Sequence, residues 1–192
     1  KKPIIVLIHD RQAGRFACFY ADRRVRRLGR VAAMICDGCQ PLYEDVAGVV
    51  RDRDVFAKVR RTDTGLMCKA RGADTEAWYR ATVTPEHDAI VIGLYTPDRW
   101  LSESIEADLM NTGDKLEELL EDELIDQGFE GRLSVEHFRD DAKQYVFCST
   151  VPKPTDQRLD SEQTVETVSR VLLAYDACFS QLGDMAAHDE PA

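Results

Sequence analysis

Cys36 and Cys39, in the run Cys36-Asp37-Gly38-Cys39-Gln40-Pro41, are the one pair in this chain whose spacing has a chemical precedent. Two thiols separated by two residues can close a disulfide across a single turn. A helix beginning just after them would lower the thiolate pKa and raise its reactivity. If residues 31–35 form a strand and residues 40–50 the following helix, the pair sits at a strand-to-helix junction suited to thiol redox chemistry. Ile35 rather than an aromatic residue precedes it, and the inner pair is Asp-Gly. The same pair is also half of a zinc site, with no second pair of this kind in the chain. His9, Cys68, His137 and Cys148 would have to be brought to it by the fold. Without a complete ligand set or cofactor motif, no metal or cofactor is expected.

The other reactive residue types are scattered. His87 falls in a turn and His188 in the C-terminal tail, both read as solvated, while His137 alternates with Leu133 and Val135 and reads as half-buried. Ser149 lies in a strand, and no serine sits in a Gly-x-Ser-x-Gly elbow. The chain contains no P-loop, dinucleotide fingerprint, EF-hand or HExxH sequence. An enzyme whose site is assembled from dispersed residues stays open. Glu117, Glu118, Glu121, Asp122 and Glu123 have no metal-loop spacing and read as a solvated acidic face.

Charge narrows the partners. With 35 acidic and 25 basic residues the net charge is −10, and the field of such a molecule repels a phosphate backbone, so nucleic acid is not expected as the main partner. Arg23, Arg24, Arg26, Arg27 and Arg30 are a local exception. They read either as a solvated helix face paired with the acidic C-terminal half, or as a docking patch for an acidic segment or phosphate. At 192 residues and 44% hydrophobic composition the chain is long enough to bury a core without staples. The apolar run Pro3-Ile4-Ile5-Val6-Leu7-Ile8 is too short to cross a membrane and lacks a cleavage site, so it reads as a strand. Cytoplasmic residence is the expectation, and four of the six cysteines read as small core hydrophobes.

The elements follow from periodicity. Residues 4–8 read as a buried strand, with 16–20 as its hairpin partner or the start of a helix. Val25, Leu28, Val31 and Ile35 favour a helix to about residue 33. After Pro41 a second helix is expected over 42–50. The period then becomes two, giving a meander of up to four antiparallel strands: Val55, Ala57 and Val59; Leu66, Cys68 and Ala70; 78–83; and 89–95. Leu101, Ile105 and Leu109, then Leu116, Leu120 and Leu124, give two short helices or one kinked at Gly113. Residues 133–139 and 144–151 form a hairpin through Asp140-Asp141-Ala142-Lys143. Asp160-Ser161 supplies an N-cap for the longest helix, whose seam is Val165, Val168, Leu172, Tyr175, Phe179 and Leu182, closed at Gly183. That seam is read as core packing or as a dimer interface.

The predicted class is therefore α+β, an antiparallel sheet with helices packed on one face. Residues 1–41 are an N-terminal extension, 42–186 the α+β domain and 187–192 a frayed tail. The order helix, three strands, helix, two strands, helix, carried by residues 78–83, 89–95, 116–127, 133–139, 144–151 and 161–182, resembles type III secretion chaperones and the related bacterial sensory transduction regulators. The resemblance spans about three-quarters of the chain. It implies a small acidic homodimer that binds an extended protein segment, or regulates, without catalysing a reaction. The alternative expectation is a thiol-redox or metal-binding protein using Cys36 and Cys39.

Overall fold

The computed structural model describes residues 8–9, 16–17, 38–73, 75–84, 89–153 and 158–185. The Arg23–Arg30 cluster, Cys36, the helix expected before residue 33, His87, His188 and the tail lie outside them. The chain divides into residues 1–32 and 33–192. In the first unit β1 (Ile8–His9) pairs antiparallel with β2 (Phe16–Ala17), so Phe16 belongs to a strand and does not start a helix.

The second unit runs α1 (Gln40–Asp52), β3 (Lys58–Thr62), β4 (Gly65–Lys69), β5 (Trp78–Val83), β6 (Ala89–Thr96), α2 (Arg99–Thr112), α3 (Leu116–Asp126), β7 (Glu136–Arg139), β8 (Tyr145–Pro152) and α4 (Glu162–Phe179). The strands form an open six-stranded antiparallel sheet in the order β3-β4-β5-β6-β8-β7. The meander thus has all four expected strands. The later hairpin returns so that β8 pairs with β6 and β7 becomes an edge. Strand β6 is central and buried along nearly its whole length, which its almost unbroken apolar sequence requires.

One sheet face meets the helices. Arg61 of β3 binds Glu44 of α1 at 2.8 Å, the Tyr175 hydroxyl of α4 donates to Ser149 Oγ of β8 at 2.6 Å, and Ser102 of α2 lies 3.2 Å from His137 of β7. Residues of the same parity form the core: Leu66, Cys68, Tyr79, Ala81, Ile92, Leu94, Phe147 and Val151 are all buried against helical side chains. Phe147 packs tilted on Phe179 with ring centres 5.4 Å apart. Helix α1 contributes Leu42, Tyr43, Val46, Ala47 and Val50, a one-sided spacing. The Tyr43 hydroxyl accepts from the Val83 amide at 3.0 Å and so ties α1 to β5.

Local chemistry sets the helix ends. The Asp98 carboxylate accepts from the Trp100 amide at 2.8 Å to start α2. Gly113, at φ +79°, ends it in the left-handed region and separates two helices. Ser161 Oγ accepts from the Thr164 amide to start α4 as expected.

Several boundaries differ from the sequence reading. The first meander strand begins at Lys58, not Val55, because Asp54 takes φ +51° and Phe56 turns into the core before the ladder starts. Strand β7 begins at Glu136; Leu133 is buried ahead of it as a loop residue. Helix α1 is longer at both ends than residues 42–50. Helix α4 stops at Phe179, and Gly183 opens a separate 3-10 turn, Gly183–Met185, that packs under α2. In the seam Val168, Leu172, Tyr175, Phe179 and Leu182 are buried and Val165 is partly so. It packs into the protein's own core.

Candidate functional site

Cys39 occupies the N-cap position of α1, with Pro41 in the first helical turn. Its side chain is fully buried and disulfide-bonded. A shallow cleft of about 480 Å³ opens beside it, lined by Gly38, Pro41, Lys153, Arg158, Leu159 and Asp160. The other described cysteines are free and separate: Cys68 and Cys178 lie in the helix-covered core, and Cys148 points to the opposite sheet face. Burial pushes all three thiols up to about 12, so they are un-ionised and inert at neutral pH. Cys68, His137 and Cys148 therefore do not assemble around Cys39. Among the described residues no three His, Cys, Asp or Glu side chains converge as metal ligands.

A second constellation had no local signal in the sequence. His137 Nε2 lies 3.2 Å from Ser102 Oγ, and its Nδ1 lies 3.5 Å from Glu106 Oε1. The ring stacks flat on Phe147 at 3.8 Å. Burial holds the imidazole below its ordinary pKa, with the Glu106 carboxylate opposing that shift. A serine, a neutral imidazole and a carboxylate in this order are the elements of an activated nucleophile. Access is what this line of groups lacks, since Ser102 is only 1% exposed on the inner side of α2. The arrangement ties α2 to the sheet edge. A fluorophosphonate reagent is accordingly expected to leave Ser102 unlabelled in the folded protein, as read by intact mass; stoichiometric labelling abolished by Ser102→Ala would establish a nucleophile.

The third candidate is the sheet face opposite the helices, where register assembles two rows across all six strands. One row is Arg60, Met67, Arg80, Gly93, Cys148 and Glu136; the next is Lys58, Lys69, Trp78, Tyr95, Val146 and Phe138. The Arg60 guanidinium lies 4.4 Å above the Trp78 ring, and that of Arg80 lies 4.5 Å above Tyr95. Each stack is a cation–π contact that also holds the guanidinium in place. Val146 and Cys148 are buried between the longer side chains, while Lys58 and Arg60 are exposed. Burial raises the Tyr95 pKa and lowers that of Arg80.

Compared with known protein families, curated proteins and solved structures, the chain finds no match.

Among the described residues no helix is long and apolar enough to cross a membrane. Three of the acidic residues of α3 are engaged locally: Lys115 binds Glu118 at 2.6 Å, Arg132 binds Glu121, and Gln181 donates to Glu123 at 2.7 Å. The sequence reading passed over the Trp78–Arg80–Tyr95 face. Its one signal was that the outward positions of β4, β5 and β6 carry Met67, Trp78 and Tyr95 where solvated strands carry small polar residues.

Proposed function

We propose that the protein is a non-catalytic protein-binding module of the chaperone-like or regulatory kind, recognising a segment of a partner protein as a cytoplasmic homodimer. One observation carries this reading: among the described residues no helix packs on the face formed by Arg60, Met67, Trp78, Arg80, Tyr95 and Phe138. Planar rings and stacked guanidiniums are the side chains that dominate protein–protein hot spots. The order of elements from α1 to α4 supports it too, because it is the order in which the chain resembles type III secretion chaperones and bacterial sensory transduction regulators. Here β3 adds a strand, and α2 and α3 stand in place of one helix. For the homodimer, Trp100 and Met110 of α2 and Ile125 of α3 offer apolar surface, being 73%, 80% and 61% exposed.

Selection of random displayed peptides against the protein tests the module. Binders are expected to change Trp78 emission in a Trp100→Phe background, and to lose affinity when Met67 is changed to Glu. A selection that enriches nothing, or binders indifferent to Met67→Glu, would overturn it. Native mass spectrometry reads the dimer in the same sample.

The disulfide at Cys39 and the cleft beside it favour a second reading, a thiol-redox protein in which a substrate thiolate attacks a Cys36–Cys39 disulfide and forms a mixed disulfide. The substrate's second thiol then releases it as the substrate disulfide, leaving both cysteines reduced. Replacing both with Ser separates the two. Peptide capture survives the double change in a binding module, whereas thiol–disulfide exchange activity is lost in a redox protein.

A further inference from the structure

Several cations among the described residues have no ion-pair partner, and four of them share the sheet face opposite the helices, where Asp140 acts on Arg80 only from longer range. Arg61, Arg71, Arg99, Lys115, Arg132, Arg158 and Arg170 each sit against a carboxylate. Lys58, Arg60, Lys69 and Arg80 have no carboxylate within ion-pairing distance among the described residues, although the chain carries ten more acidic than basic residues. Their placement adds to the cost. Lys58 and Lys69 stand directly opposite each other across β3 and β4, and like charges in that position destabilise a ladder. Arg60 and Arg80 flank Met67 in the next row. The Arg80 Nε is buried with no hydrogen-bond acceptor, and a buried donor left unmatched costs about 1–3 kcal/mol. Positive charge on β3 alone would be ordinary protection of a sheet edge. Lys69 and Arg80 are on interior strands, where no edge needs guarding.

We propose that this face is a seat for an extended acidic segment of a partner protein, its carboxylates resting among Lys58, Arg60, Lys69 and Arg80. The inference rests on the binding-module reading and specifies the partner's chemistry. The four cations lie on three neighbouring strands and in two rows, so they mark out a patch of roughly 7 by 10 Å. Alternate side chains of an extended peptide repeat at about 7 Å, which matches the row spacing. Phosphates of a single-stranded nucleic acid have similar charge, but base recognition needs open aromatic faces. Trp78 is 9% exposed beneath Arg60, and Tyr95 lies beneath Arg80.

The test is fluorescence anisotropy with a short labelled peptide alternating Glu and Thr, set against its Gln-Thr counterpart and an oligothymidylate of equal length. The Glu-Thr peptide is expected to bind, and the Gln-Thr peptide to bind at least about tenfold more weakly. Affinity should also fall about tenfold in Lys58→Gln/Lys69→Gln and in Arg60→Gln, and further at high salt, with the circular dichroism spectrum of the folded protein retained. Equal affinity for the two peptides, insensitivity to the substitutions, or tighter binding of the oligothymidylate would overturn the proposal. Displayed-peptide selection separates the layers: binders poor in Asp and Glu would remove the acidic-segment inference and leave the module standing, while an empty selection removes both.

Discussion

Gly93→Ala is expected to cost a large part of the protein's folding free energy, because an added methyl group there meets the closest contact of any described glycine. Gly93 pairs with Cys148 where the interior strands β6 and β8 lie side by side. A Cβ there would stand 2.4 Å from the Phe147 carbonyl oxygen, 2.5 Å from Cys148 Cβ and 2.7 Å from Cys148 Cα. None of these can rotate away, so the strands must part in the middle of the sheet. Overpacking of that kind costs about 3 kcal/mol or more, out of the roughly 5–15 kcal/mol that holds a domain together. Urea denaturation followed by circular dichroism reads the loss. Gly48→Ala is the matched control: it lies on the exposed side of α1 with nothing within 4 Å of the added carbon. There the change should stabilise the protein by about 0.5–1 kcal/mol. Gly93 tolerance equal to Gly48 would contradict the close approach of β6 and β8. The position also bears on recognition, because Gly93 follows Arg80 in its row and leaves the room in which that side chain lies over Tyr95.

The class and element order were legible because each rests on short-range periodicity. Alternation marked β4 and β5, the three-and-four spacing marked α4, and Gly113 and Ser161 punctuated the helices where the backbone required it. Boundaries failed where tertiary packing overrode that periodicity. Val55 and Leu133 fit the apolar row of a strand, yet each packs on the core from a loop. The seam of α4 read equally as interface or core, and only its burial against β5 and β6 decided between them. The candidate face was not legible for a different reason. Lys58 is eleven positions before Lys69 and Trp78 seventeen before Tyr95, and nothing local says that they stand side by side. Register makes those neighbours, and register is set by the buried residues of the other parity. Ser102 and His137, 35 positions apart, met for the same reason.

Asp176→Asn is expected to stabilise the protein at neutral and alkaline pH and to do nothing at acid pH. Asp176 lies on α4 with most of its carboxyl group withdrawn from water. Burial raises its pKa from 3.8 to about 6, while Arg71 and the Tyr79 hydroxyl pull it back. Arg71 is itself held 2.9 Å from Asp54 at the surface, and Tyr79 Oη is buried without completing a hydrogen bond, so neither compensates the charge fully. The folded-state pKa exceeds the unfolded one. The native state is therefore favoured by this group below about pH 4, and the advantage is lost as pH rises through 6. A shift of two units corresponds to about 3 kcal/mol, which partial exposure reduces to about 1–2 kcal/mol. Asparagine keeps the shape without the charge. Its urea midpoint should exceed that of the parent at about pH 8 and coincide with it at about pH 4. His137 works in the opposite direction: its lowered pKa makes stability fall as pH drops below the ordinary imidazole value. A His137→Gln background removes that contribution, and what remains between the two curves belongs to Asp176. Curves that run parallel across the whole range would mean that the carboxylate is as well solvated in the folded chain as in the unfolded one.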